Sequence, residues 1–143
     1  LLVHGAEKTQ AWYFGKFPQI KTWQDDVKDQ VIKRRMVENI FGYRRYFLER
    51  IEGTIFNVAI AWIPQSTVGC LINRAYVEID RQEPEIEILL QVHDSLAGQF
   101  PTRREEELTR RVIELSEIPL PYDDPLVIPV GCKTSRVSWG ECD

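Results

Sequence analysis

The stretch Glu85-Ile86-Glu87-Ile88-Leu89-Leu90-Gln91-Val92, continued by His93-Asp94-Ser95 and Leu96 to Phe100, constrains the fold more than any other part of the chain. Apolar residues at alternate positions put Ile86, Ile88, Leu90 and Val92 on one face of an extended strand. Leu96 to Phe100 offers a second strand, which Pro101 ends. Two strands this close in sequence pair antiparallel through a short turn. His93 and Asp94 fall at that turn. A carboxylate there is carried by a rigid scaffold and stays open to solvent, metal and substrate.

The remaining segments read mostly as helices. Glu7 to Phe17 is a short, aromatic-rich helix, and Pro18 suits the first turn of a second one. Ile20, Trp23, Val27 and Val31 form an apolar stripe at spacings of 3, 4 and 4, so this helix is expected to run to about Met36. Met36 to Leu48 is rich in β-formers punctuated by Gly42, as in a short hairpin. Thr54 to about Asp80 is helical in pattern. Pro64 removes a hydrogen bond within it, so two helices or one kinked helix are expected, dividing near Trp62 to Gln65. Thr102-x-x-Glu105 matches a capping box, and Leu108, Val112 and Leu115 give the following helix its buried stripe. After Pro119, Pro121 and Pro125, Leu126 to Val130 reads as a last strand, at a sheet edge if Pro129 sits within it. This order predicts an α+β fold with an antiparallel sheet, its hairpin packed against several helices.

Composition narrows the function class. A chain of 143 residues fits one domain, and 43% hydrophobic with 10% aromatic residues argues against disorder. Polar residues interrupt the apolar runs before about 20 positions, so neither a membrane span nor a signal peptide is expected. Cys70, Cys132 and Cys142 are widely spaced and suit a reducing cytoplasm rather than a zinc or disulfide framework. The one methionine is Met36 and the chain opens at Leu1, which favours a fragment of something longer. The net charge of −4 does not announce a nucleic-acid binder. Between Lys28 and Arg50, however, seven basic residues face three acidic ones, a local +4 that leaves −8 elsewhere. Such a patch suits phosphate contacts as readily as a solvated surface.

Taken alone, Asp94 has two readings. Asp is common in turns because its side chain bonds the backbone. An exposed Asp is also a hard oxygen donor of the kind that Mg²⁺ prefers. Glu105-Glu106-Glu107 reads as a helix first turn, where negative charge complements the dipole. Asp123-Asp124, before Pro125, reads as a turn.

Several motifs in order carry a resemblance. Leu89 to Leu96 is similar to a palm motif usually written Gln-Val-His-Asp-Glu. Phe41-Gly42-Tyr43-Arg44-Arg45-Tyr46 resembles a Gly-Arg-Arg segment upstream of it. Gln65-Ser66-Thr67, followed by Leu71, Ile72, Arg74 and Ala75, resembles a helix with Gln-Gly-Thr near its start. Trp12-Tyr13-Phe14-Gly15-Lys16-Phe17-Pro18 looks like an aromatic-rich entry to a fingers helix, and Val130-Gly131 with Trp139 looks like the family's carboxyl end. All belong to family A DNA polymerases, the polymerase I type, with a phage-like flavour. The resemblance spans almost the whole chain.

It implies a carboxyl-terminal piece of a polymerase domain, with about 1–38 ending the fingers helices and about 39–143 forming palm. It implies template-directed DNA synthesis by a two-metal mechanism, with Mg²⁺ as cofactor. Asp94 would be a metal ligand, and His93 would lie against the primer-terminal sugar-phosphate. Gln65 would read minor-groove acceptors that every base pair presents. Arg44 would contact the template or primer backbone; Arg45 is the weaker candidate, because the family often has an apolar residue there. The implied partners are primer–template DNA, deoxynucleoside triphosphates and an upstream polymerase segment, with no membrane. The implied location is the cytoplasm, that of the host cell if phage-encoded.

The chain departs from the pattern in several places. Ser95 replaces the usual Glu, the helix reads Gln65-Ser66-Thr67-Val68-Gly69-Cys70, and Ala61 stands where the family has Asn. Neither the second metal-binding Asp nor the Lys-bearing fingers helix is present. The isolated chain is therefore expected to be inactive. Two alternatives remain: a non-catalytic primer–template binding module or split-polymerase subunit, and an unrelated α+β domain with a turn Asp.

Overall fold

Pro18 divides the first two helices. A residue before proline is pushed out of the α region, and Phe17 (φ −129°, ψ 67°) ends α1 (Leu2–Lys16) and introduces α2 (Pro18–Arg34). The computed structural model describes residues 2–142. Its elements continue as β1 (Met36–Glu38), β2 (Arg44–Tyr46), α3 (Gly53–Gln82), β3 (Glu87–Val92), β4 (Ser95–Gln99) and α4 (Glu105–Ser116), with single 3-10 turns at Thr102–Arg104 and Trp139–Glu141. The α+β class is as expected. The sheet, however, is two separate antiparallel pairs, β1–β2 and β3–β4.

The described chain divides into two compact units, Leu1–Pro64 and Gln65–Asp143. In the first, Val27, Val31, Val37, Phe47 and Ala59 form the core. The α2 stripe is buried only in its later half: Val27 and Val31 are inside, while Trp23 stays exposed. Arg35 ends α2 in the left-handed region (φ 50°), and its guanidinium donates to the carbonyls of Phe47 and Glu49. The β1–β2 turn is organised by buried Asn39, whose Oδ1 accepts from the backbone N–H groups of Phe41 and Tyr43, both at 3.0 Å. Gly42 supplies the positive φ of 83° that the turn requires. Asn39→Ala would remove the one oxygen that both N–H groups share at a buried position and is expected to cost about 1–3 kcal/mol, measured by chemical denaturation.

The helix α3 runs unbroken through Pro64, contrary to the expected division near Trp62 to Gln65. Proline deprives the Ile60 carbonyl of its partner, but Pro64 is exposed, so water can satisfy that oxygen. By length and composition α3 is also apolar enough to cross a membrane, with a mean hydropathy of 1.5 over its window. The polar residues that interrupt its apolar runs do not bring the window's mean hydropathy below that level, contrary to the expectation of no candidate span. Ala59, Leu71, Ala75 and Ile79 of this helix are buried, but only 22% of the apolar window is.

Three further expectations change in the second unit. The pairing of β3 with β4 slips between Ile88 and Leu90, leaving Leu89 as an extra residue. Simple alternation therefore fails: Ile86 and Ile88 pack inward, whereas Leu90 and Val92 are exposed. The predicted capping box does not form, because Glu105 faces the C-terminal segment instead: its carboxylate accepts from Thr134 Oγ1 at 2.9 Å and Arg136 Nη2 at 2.8 Å. Leu126 to Val130 forms no strand. Pro125 and Pro129 lack donors, and only a lone bridge joins Leu120 to Leu126.

Candidate functional site

Val92 pairs with Ser95, so His93 and Asp94 make up the whole loop of the β3–β4 hairpin. Two-residue hairpin loops match strand twist by taking positive φ, and His93 does so at 55°. That region costs a non-glycine residue about 1–2 kcal/mol, and His tolerates it better than most side chains. His93, Asp94 and Ser95 are all exposed. Among the described residues no hydrogen bond or ion pair engages the Asp94 carboxylate.

The tip is open because the base is fixed. Ile79 of α3, Ile86 and Leu108 of α4 are buried together, with Ile88, Leu96, Phe100, Val112 and Leu115 packed on them. Charged pairs clamp the rim. Arg111 Nε bonds Glu83 at 2.8 Å, and Glu85 takes both Arg103 and Arg104. Gly98 sits opposite the bulge, where an added Cβ would lie 2.8 Å from the Glu87 carbonyl oxygen; only glycine lets the strands approach this closely. A side-chain hydrogen bond runs from the hairpin to α3: Gln91 Nε2 donates to Asn73 Oδ1 at 3.3 Å.

Gln65 lies on the same helix as Asn73, exposed and eight residues earlier, about 12 Å along the axis. The second unit thus holds His93, Asp94 and Gln65. Arg44 and Arg45 belong to the first unit. Both are exposed on β2 and differ in setting. Arg44 Nε donates to Glu38 Oε2 at 2.5 Å across the strand pair. The Arg45 guanidinium lies 5.4 Å from the Phe47 ring centre, within cation–π range.

The donor set bears on metal binding. Among the described residues no three His, Cys, Asp or Glu side chains gather as a cluster. Mg²⁺ commonly takes only one or two protein carboxylates and completes its shell with water and phosphate. A lone, unpaired, exposed Asp fits one half of such a site. Ser95, a neutral hydroxyl, adds no charge beside it.

The segment after α4 is tethered through Glu105. Hydrogen bonds from Arg136 first, and from Thr134, hold its carboxyl below the ordinary value of 4.5. A depressed carboxyl stabilises above its unfolded pKa, and that contribution fades as pH falls through the folded one. The tether is therefore expected to hold above about pH 4.5 and to loosen below it, seen as lower hydrogen-exchange protection across 130–138 relative to the intrinsic rate at each pH.

Asn39, Glu38, Asn73 and Gly98 shape these surfaces without having stood out in the sequence. Asn39 had a usable signal, an Asx residue three positions before a glycine. Glu38 and Asn73 had none, because their partners are set by register and packing.

The sequence pattern described as DNA polymerase family A matches residues 2–139. The chain is 34% identical over 131 residues to the thermostable DNA polymerase I of Thermus filiformis, covering 83% of this chain and 15% of that protein. With the Thermus aquaticus enzyme the identity is 31% over 140 residues, covering 87% and 16%. The chain therefore spans about 15% of the length of these relatives. Among solved structures, the POL domain of Pol1 from M. smegmatis, in complex with DNA primer-template and dNTP, superposes with a TM-score of 0.74 at 27% identity, covering 86% of this chain and 24% of that one. A match over nearly every residue, joined to the same fold at that identity, establishes that this chain belongs to DNA polymerase family A.

Proposed function

We propose that this segment takes part in template-directed DNA synthesis, supplying one metal-binding carboxylate and several DNA contacts to a family A polymerase site. The observation that carries this reading is the unpaired Asp94 carboxylate at the tip of a hairpin with a fixed base, in a chain matched to the family over 2–139. On this reading the fingers helices end near residue 38, and 39–143 contributes palm. An upstream segment supplies the second Asp and the Lys-bearing fingers helix.

In the overall reaction the primer 3′-hydroxyl attacks the α-phosphate and pyrophosphate leaves. Asp94 would hold Mg²⁺, which when bound neutralises the charge that develops on the reacting oxygens. His93 offers a ring N–H to the primer-terminal sugar-phosphate. Gln65 has a side-chain amide that can donate to minor-groove acceptors shared by all base pairs. Arg44 and Arg45 supply charge to the duplex backbone, which sets register without reading sequence.

Ser95 favours one second reading, a primer–template binding subunit without catalysis. Primer extension separates the two. The chain alone, with Mg²⁺ and all four nucleotides, is expected to give no synthesis, and the chain joined by the upstream segment is expected to restore it. Robust synthesis by the chain alone would contradict the need for an outside acid. Duplex binding without synthesis in the joined form would favour the binding subunit.

A further inference from the structure

The two arginines of β2 are not equivalent. Register in β1–β2 sets Glu38 opposite Arg44 and Val37 opposite Arg45. Val37 is fully buried, and the Asn39 turn closes the hairpin, so this register cannot slip without exposing the core. Glu38 is thereby fixed beside Arg44, and its carboxylate takes the guanidinium through Nε at 2.5 Å. The Tyr46 side chain, two residues along on the same face, also bonds Arg44. Arg45 has no acidic partner among the described residues and rests on Phe47.

We propose that Glu38 is a charge brake on the Arg44 contact: it competes with DNA phosphate for the same guanidinium and so lowers the affinity and salt dependence of duplex binding. The inference rests on the reading of Arg44 as a backbone contact. Carboxylate and phosphate oxygens present the same acceptors to the guanidinium fork. Both partners are well exposed, with side-chain accessibilities of 56% for Arg44 and 41% for Glu38, so phosphate can reach the fork and displace the carboxylate. An arginine already paired with a carboxylate also releases fewer counterions when it meets DNA. The brake would limit unproductive grip on duplex.

Charge and positioning can be separated, since Glu38→Gln keeps an oxygen acceptor for Nε and removes only the charge. The test is fluorescence anisotropy of a labelled primer–template duplex with the full chain, across a KCl series, for wild type, Glu38→Gln, Arg44→Ala and the double variant. Glu38→Gln is expected to bind at least about threefold more tightly at low salt, with a salt slope steeper by up to about one. Arg44→Ala is expected to weaken binding, and the double variant to match Arg44→Ala. If Arg44→Ala leaves affinity unchanged, the backbone-contact reading falls and the brake falls with it. If Arg44→Ala weakens binding but Glu38→Gln fails to tighten it, the brake alone is overturned. Equal tightening by Glu38→Gln in the Arg44→Ala background would also overturn it, because the effect would then be general charge.

Discussion

Replacing Asp94 by Asn, in a polymerase assembled from this chain and its upstream segment, is expected to lower the synthesis rate by at least about a hundredfold. The substitution keeps size and turn-forming tendency but exchanges an anionic oxygen for an amide, which is a poor donor to Mg²⁺. Asp94 is exposed and unpaired among the described residues, so folding is expected to change by no more than about 0.5 kcal/mol. The loss would therefore fall on kcat, with duplex affinity largely kept. An undiminished rate would return Asp94 to the status of a turn residue. Equal collapse of DNA binding and rate would point to damage at the hairpin rather than loss of a ligand.

The largest stability effect is expected at Leu108. It is 0% exposed and packs with Ile79 and Ile86 at the base of the hairpin. Leu108→Ala leaves a cavity where three elements meet, and such truncations cost about 2–5 kcal/mol. A domain of this size has only about 5–15 kcal/mol to lose. Urea denaturation should show the midpoint falling sharply, and His93 and Asp94 should lose their fixed base near the same denaturant concentration. A change below about 1 kcal/mol would mean that the site collapses around the smaller side chain.

The sequence was most informative where one periodicity ran without interruption. Val27 and Val31 on α2 and Leu108, Val112 and Leu115 on α4 were legible from 3.6-residue spacing alone. The two hairpins were legible from β-formers flanking turn residues. Three failures have a common cause, since each depended on a partner distant in sequence. Glu105 looked like half of a capping box until Arg136 and Thr134 claimed it. Pro64 looked like a helix breaker, yet apolar burial on both sides sustains α3 through it. The bulge at Leu89 turned an alternating strand into one whose outer half is exposed. Its only local sign was two leucines in a row, beside a glycine strand partner that the sequence does not reveal.

The candidate site divides in the same way. His93 and Asp94 were readable at a turn, and Arg44 and Arg45 on a strand. The Glu38–Arg44 pair was not, because it depends on which residues face each other across β1–β2. Among the described residues no three His, Cys, Asp or Glu side chains gather around a metal position, and the proposed chemistry is assigned to an assembly.

Metal specificity at position 94 tests the central claim most directly. Asp94→Cys replaces a hard oxygen ligand with a thiolate, which favours softer ions. The assembled variant is predicted to fail in Mg²⁺ and to recover measurable synthesis when thiophilic Cd²⁺ or Mn²⁺ is added, while Asp94→Ala recovers none. Synthesis by Asp94→Cys in Mg²⁺ alone at the unaltered rate, or equal recovery of Asp94→Ala, would contradict the assignment of Asp94 as a metal ligand.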